Sequence, residues 1–137
     1  MWWLYALLSA FFAALTAIFA KVGIKGVDSD LATALRTIII LIIAWLIVFL
    51  RHGASSIHSL TKQNILFICL SGVATGLSWI FYFKALQLGK VSQVAPVDKL
   101  SVALTILLSV LFLGEVLTIK TAMGAALIVA GTLVLIF

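Results

Sequence analysis

Charge is what this chain has least of. Only 9% of its 137 residues are charged, while 65% are hydrophobic; an ordinary globular chain is roughly a quarter charged and half apolar. The deficit excludes a water-soluble domain and makes lipid the natural solvent. Nine basic residues stand against four acids, for a net charge of +5. They form no basic tract, so nucleic acid is not an expected partner, and the excess reads as loop charge at a membrane surface. A single cysteine, Cys69, lies in an apolar run and excludes an internal disulfide. The two histidines, His52 and His58, sit in a polar loop with no further ligand nearby, so no metal site is expected. There is no Walker-type glycine loop for ATP and no nucleophile–base constellation for hydrolysis. The chain reads as neither an enzyme nor a cofactor carrier. The opening Met1-Trp2-Trp3-Leu4-Tyr5 lacks the basic region of a cleaved signal peptide, and the expectation is a retained first helix with interfacial aromatics.

Long apolar runs fill the rest. A bilayer core needs about 20 mostly apolar residues per helix, and five segments qualify, at about 2–20, 31–50, 63–86, 93–113 and 118–137. Gly23 and Gly26 act as breakers after the first, with Asp28, Ser29 and Asp30 as candidate caps for the second. Gly89 is placed to close the third. The expected fold is an all-α membrane protein of five transmembrane helices in one domain, residues 1–137.

The loop charges decide orientation only weakly. Arg51, Lys62 and Lys120 fall on the face of the N-terminus; Lys21, Lys25, Lys84 and Lys90 fall on the other, with Arg36 able to snorkel toward them. Single insertion with the second group cytoplasmic and dual insertion both remain open. No internal repeat is visible. Five helices are few to enclose a solute path, and many transporters solve this with two halves of inverted topology. An antiparallel homodimer would do the same, and it is the expected assembly. The fifth span supplies small residues for it: Gly124 and Gly131 share a face seven residues apart, beside Ala126 and Ala130. Packing against another helix of the same chain is the alternative use of this strip. Gly72 and Gly76 in the third span read as a site of tight helix packing.

Chemistry concentrates in the fourth span. Asp98 and Lys99 lie on the order of 8 Å along a helix starting near Gln93, and charges at such depth usually face a bundle interior or a solute path. Adjacent helical positions diverge by about 100°, so the two side chains are expected to point apart. Lys99 is then the substrate candidate, and Asp98 is either a second one or the partner of Arg36 or Lys84. Pro96 either starts the helix harmlessly or, if the helix begins earlier, frees the Ser92 carbonyl. In the third span Trp79, Tyr82 and Phe83 recur at pocket-lining spacing before Lys84. Phe81 reads as an interfacial belt residue, Trp79 and Tyr82 as pocket residues. The substrate set is thus Asp98, Lys99, Arg36, Trp79, Tyr82 and Lys84.

The run Lys84-Ala85-Leu86, Gly89, Val94-Ala95-Pro96, Leu113-Gly114-Glu115 and Gly124 to Gly131 resembles the EamA domain of the drug/metabolite transporter superfamily, over essentially the whole chain. Most members of that family carry two five-helix domains in inverted orientation. This chain resembles the half-length bacterial and archaeal branch, which implies two paired copies in the cytoplasmic membrane. The fifth-span glycines also resemble the dimerisation helix of the small multidrug resistance proteins. Those exchange protons for cationic drugs through a first-helix glutamate, and residues 2–20 here hold no acid. The resemblance implies secondary transport of a small organic metabolite, amino-acid-like or amphipathic, by alternating access. A flippase for a lipid-linked polar group and a non-transporting membrane subunit are the alternatives.

Overall fold

The computed structural model describes residues 1–51, 57 and 59–137, so His52 and His58 lie outside the described residues. Its helices are α1 (Trp2–Gly23), α2 (Ser29–Leu50), α3 (Lys62–Leu88), α4 (Val91–Asp98), α5 (Leu100–Leu113) and α6 (Ile119–Ile136), and the described residues contain no strand. Five spans are long and apolar enough to cross a membrane: α1, α2, α3, the α4–α5 run Val91–Leu113, and α6. The chain is a multi-pass membrane protein. It divides into two compact units, Met1–Phe19 with Leu88–Phe137, and Ala20–Gln87.

Apolar side chains are mostly on the outside. Ile42, Phe67 and Leu104 are each around 60% exposed, as lipid-facing residues should be, because acyl chains solvate them as well as a protein core would. What lies inside is small and polar nearly as often as apolar: Ser29, Thr33 and Thr132 are buried alongside Ala17, Ile24, Phe83 and Leu86. Buried hydroxyls need acceptors. Thr33 donates to the Ser29 carbonyl at 2.8 Å and Thr132 to the Ile128 carbonyl at 2.8 Å, the i−4 back-bond that satisfies a hydroxyl without leaving its helix.

In the unit Ala20–Gln87, the connection after α1 is tightly built. Gly26 takes φ +73°, a left-handed turn that costs glycine little. Asp28 caps α2, its Oδ1 accepting from the amides of Asp30 at 2.9 Å and Leu31 at 3.1 Å; of the three expected caps, this one is used. Lys21 donates from Nζ to the Leu86 carbonyl, placing a cation at the negative end of α3. Gln87 donates from Nε2 to the Val27 carbonyl at 2.7 Å. These bonds bring the start of α2 and the end of α3 together. Gly72 and Gly76 are not tightly packed as expected: among the described residues no atom lies within 4 Å of where a Cβ would stand on either. The reason is plain in the exposure of their neighbours, for Val73 and Leu77 also face outward.

In the other unit, α4, α5 and α6 pack closely. The fourth span departs from expectation in two ways. It begins at Val91 rather than near Gln93, with Lys90 at the N-cap position and no side-chain cap, so Pro96 lies past the first turn and its missing N–H leaves the Ser92 carbonyl without its helical donor. It is also two helices rather than one. At Lys99 (φ −71°, ψ −9°) the ladder tightens: the Lys99 amide donates to Pro96 at 3.0 Å and more weakly to Ala95 at 3.3 Å, and the Val102 amide donates to Lys99 at 3.0 Å. These i−3 bonds are a turn of 3₁₀ character, which interrupts the α-helical register. α5 then ends at Gly114, with φ +68° in the left-handed region; the amides of Gly114 and Glu115 both return to the Ser109 carbonyl. Glu115 thus contributes its backbone to the turn.

Candidate functional site

Two groups of side chains carry the candidate chemistry, one in each unit. The first stands at the joint of the fourth span. Asp98 is the last residue of α4, Lys99 is the joint itself, and their side chains meet, Lys99 Nζ to Asp98 Oδ2 at 3.2 Å. The expectation that they point apart is therefore corrected. The 100° rule assumes a continuous α-helix, and here the tightened turn at Lys99 and the long lysine stem let the ammonium fold back on its neighbour. Asp98 takes Lys99 as its partner, and this is the only ion pair among the described residues. The pair is partly accessible, with 56% of the Lys99 side chain and 35% of the Asp98 side chain exposed. With the helix starting at Val91, Asp98 lies about 10 Å along it.

Thr132 was not legible as a participant. From α6 its hydroxyl reaches the Pro96 carbonyl at 3.2 Å while back-bonding within its own helix. The Pro96 carbonyl thus serves both the Lys99 amide and a neighbouring helix, and the joint is pinned from one side. A lone threonine after Gly131 in an apolar run gives little warning of this; the only signal is its polarity.

The second group lies in the unit Ala20–Gln87. The Arg36 guanidinium lies over the Trp79 ring, 4.2 Å from its centroid, with the Phe83 centroid at 5.1 Å. Tyr82 meets Phe83 edge-on at 6.3 Å and lies within electrostatic reach of Arg36. Arg36 on α2 and Trp79, Tyr82 and Phe83 on α3 therefore form one cluster, reached from two helices whose ends are tied by Gln87. Phe83, weighed in the sequence but left out of the expected set, is its most buried member at 2% exposure. Lys84 is exposed, and its side chain makes no hydrogen bond or ion pair among the described residues. Phe81 is exposed as well. No group of three or more metal-ligating side chains exists among the described residues.

Gly124 and Gly131 on α6 each have open space where a Cβ would stand, with no atom within 4 Å among the described residues.

Comparison with known proteins adds a family. The model of the EamA-like transporter family matches residues 1–137. A protein of Sinorhizobium sp. described as an "Uncharacterized transporter in cobO 3'region" is 48% identical over 134 residues, 98% of this chain and 95% of its own length. An uncharacterized protein of Methanocaldococcus jannaschii is 36% identical over 95 residues, 69% of this chain and 67% of its own. No solved structure gives a significant match.

Proposed function

Since the chain belongs to the EamA-like transporter family and is a multi-pass membrane transporter on that ground, we propose that it carries a small, amino-acid-like organic metabolite by secondary-active alternating access. The observation that carries this reading is the joint in the fourth span with an ion pair at it. Transporter sites are typically formed where a membrane helix is discontinuous, because unwound backbone and unpaired helix ends are tolerated in the bilayer only against protein or a water-filled cavity. The mutual pair also explains how both charges are kept at depth. Inserting either one alone near a helix centre costs about 2.5–3.5 kcal/mol, and a local partner offsets part of that.

A pair of opposite charges is the complement of a zwitterion. A substrate carboxylate on Lys99 and an ammonium on Asp98 exchange one internal ion pair for two intermolecular ones, so no charge is left unpaired during the exchange. The partial exposure of both side chains supports their availability for it.

The assembly in this reading is an antiparallel homodimer in the cytoplasmic membrane, each copy supplying one fourth span to a shared path. The open face at Gly124 and Gly131 supports it, because small residues let membrane helices approach closely. The test is uptake in proteoliposomes of amino acids, polyamines and lipophilic cations, with and without a proton gradient. Amino-acid flux is expected, with at least a tenfold loss in Lys99→Ala and Asp98→Asn. Full flux in both variants refutes the assignment.

A further inference from the structure

We propose that Arg36, laid on Trp79, is a receptor for the carboxylate of an apolar or aromatic organic acid. The proposal rests on the reading of the chain as a transporter and names a second ligand class, taken at the Arg36 cluster and not at the Lys99–Asp98 pair.

Arg36 and Trp79 both lie well inside their helices. Arg36 is seven residues into α2 and Trp79 nine residues before the end of α3, so they sit about 10 Å and 13 Å from the tied helix ends. Arginine at the edge of a membrane normally snorkels outward to the interface. Side chains of a helix lean toward its N-terminus, which points Arg36 outward and Trp79 inward. Since the guanidinium nevertheless lies 4.2 Å over the Trp79 ring, it is drawn away from the interface and held at depth.

A guanidinium carries five N–H donors, all in its plane. The Trp79 ring, 4.2 Å from the guanidinium carbon, attracts the charge but accepts none of these N–H bonds in its plane. Among the described residues of its own unit, the Arg36 side chain makes no hydrogen bond and no ion pair. A cation–π contact is worth about 0.5–2 kcal/mol, which does not replace five hydrogen bonds at lipid depth. The missing acceptor is planar and anionic, since a carboxylate meets the guanidinium fork with two parallel bonds. The aromatic wall gives the rest of the ligand its place: Trp79 and Tyr82 are only half-buried, while Phe83 behind them is closed off.

The test reads binding, so it can fail separately from transport. The full chain in nanodiscs is titrated by calorimetry with phenylacetate, phenylacetamide and phenethylammonium, which share a ring and differ in charge. Saturable binding of phenylacetate is expected, at least tenfold weaker for the amide and absent for the cation. Arg36→Lys keeps the charge but loses the fork, and should weaken phenylacetate at least tenfold with the thermal unfolding midpoint unchanged. In the wild-type protein, phenylacetate should also change tryptophan fluorescence, and that change should vanish in Trp79→Phe. Equal binding of acid and amide, no saturable binding, or wild-type affinity in Arg36→Lys overturns the proposal; the ligand series on the wild-type protein decides it even if a variant fails to fold. Loss of flux with phenylacetate binding intact would count against the transport reading alone.

Discussion

Replacing Pro96 with alanine should make this protein more stable and less active. Pro96 is the sixth residue of α4, beyond the first turn where a missing N–H is harmless. Alanine would restore a donor to the Ser92 carbonyl and remove the clash of the ring with that group. An interior helical proline is about 3 kcal/mol less favourable than alanine. Against this stands the loss of proline's restraint on the unfolded chain, worth about 0.4–1 kcal/mol. The net expectation is a gain of about 2 kcal/mol, read as a rise in the unfolding midpoint in detergent. The Pro96 carbonyl remains in Pro96→Ala, so the bonds from Lys99 and Thr132 survive and the ion pair keeps its place. What changes is the stiffness of the helix leading into the joint. If alternating access bends the fourth span there, substrate flux in proteoliposomes should fall several-fold while binding of the substrate persists. A variant that is no more stable would show that the Ser92 carbonyl is already satisfied. A variant with stability raised and flux untouched would show that the joint does not bend during transport.

Thr132→Val keeps the shape of the side chain and removes its bond to Pro96; interhelical hydrogen bonds in membranes average about 0.6 kcal/mol with a maximum near 1.7, so a loss above about 2 kcal/mol in detergent unfolding would contradict this account. Gly114→Ala meets no neighbour within 4 Å but must hold φ +68°, so the expected cost is strain alone, about 1–2 kcal/mol, and Gly114→Asn should recover part of it in the same assay.

The spans were legible because hydropathy reports transfer into lipid residue by residue, and nothing in the fold opposes it: each expected span corresponds to an observed one. Continuity is a different property. Leu100 to Leu113 is apolar enough to extend any helix, and hydropathy gave no sign that the ladder tightens at Lys99. The sequence did hold one clue, Pro96, whose effect depends on where the helix starts. Two residues of extra helix at Val91 and Ser92 turned a harmless position into an open ladder. Boundaries that shift by two residues are usually of no consequence; here the shift decides whether a carbonyl has a donor.

The candidate site was legible as residue types and misread as geometry, for a related reason. A membrane charge must be neutralised, and from sequence the natural search is for an opposite charge elsewhere in the bundle. The chain instead uses two solutions of different kind. Asp98 and Lys99 neutralise each other locally, made possible by the turn between them. Arg36 is held by aromatic faces, which attract a cation without accepting its hydrogen bonds. The difference matters for what each can do. An ion pair can open to admit a zwitterion and close again behind it, so it suits a step that must be reversible. An arginine held by an indole face stays charged whether or not a ligand is there. It suits recognition. Acids are so scarce in this chain, four in 137 residues, that Arg36 has few carboxylates to choose from within its own sequence, and a ligand that brings one supplies what the chain does not.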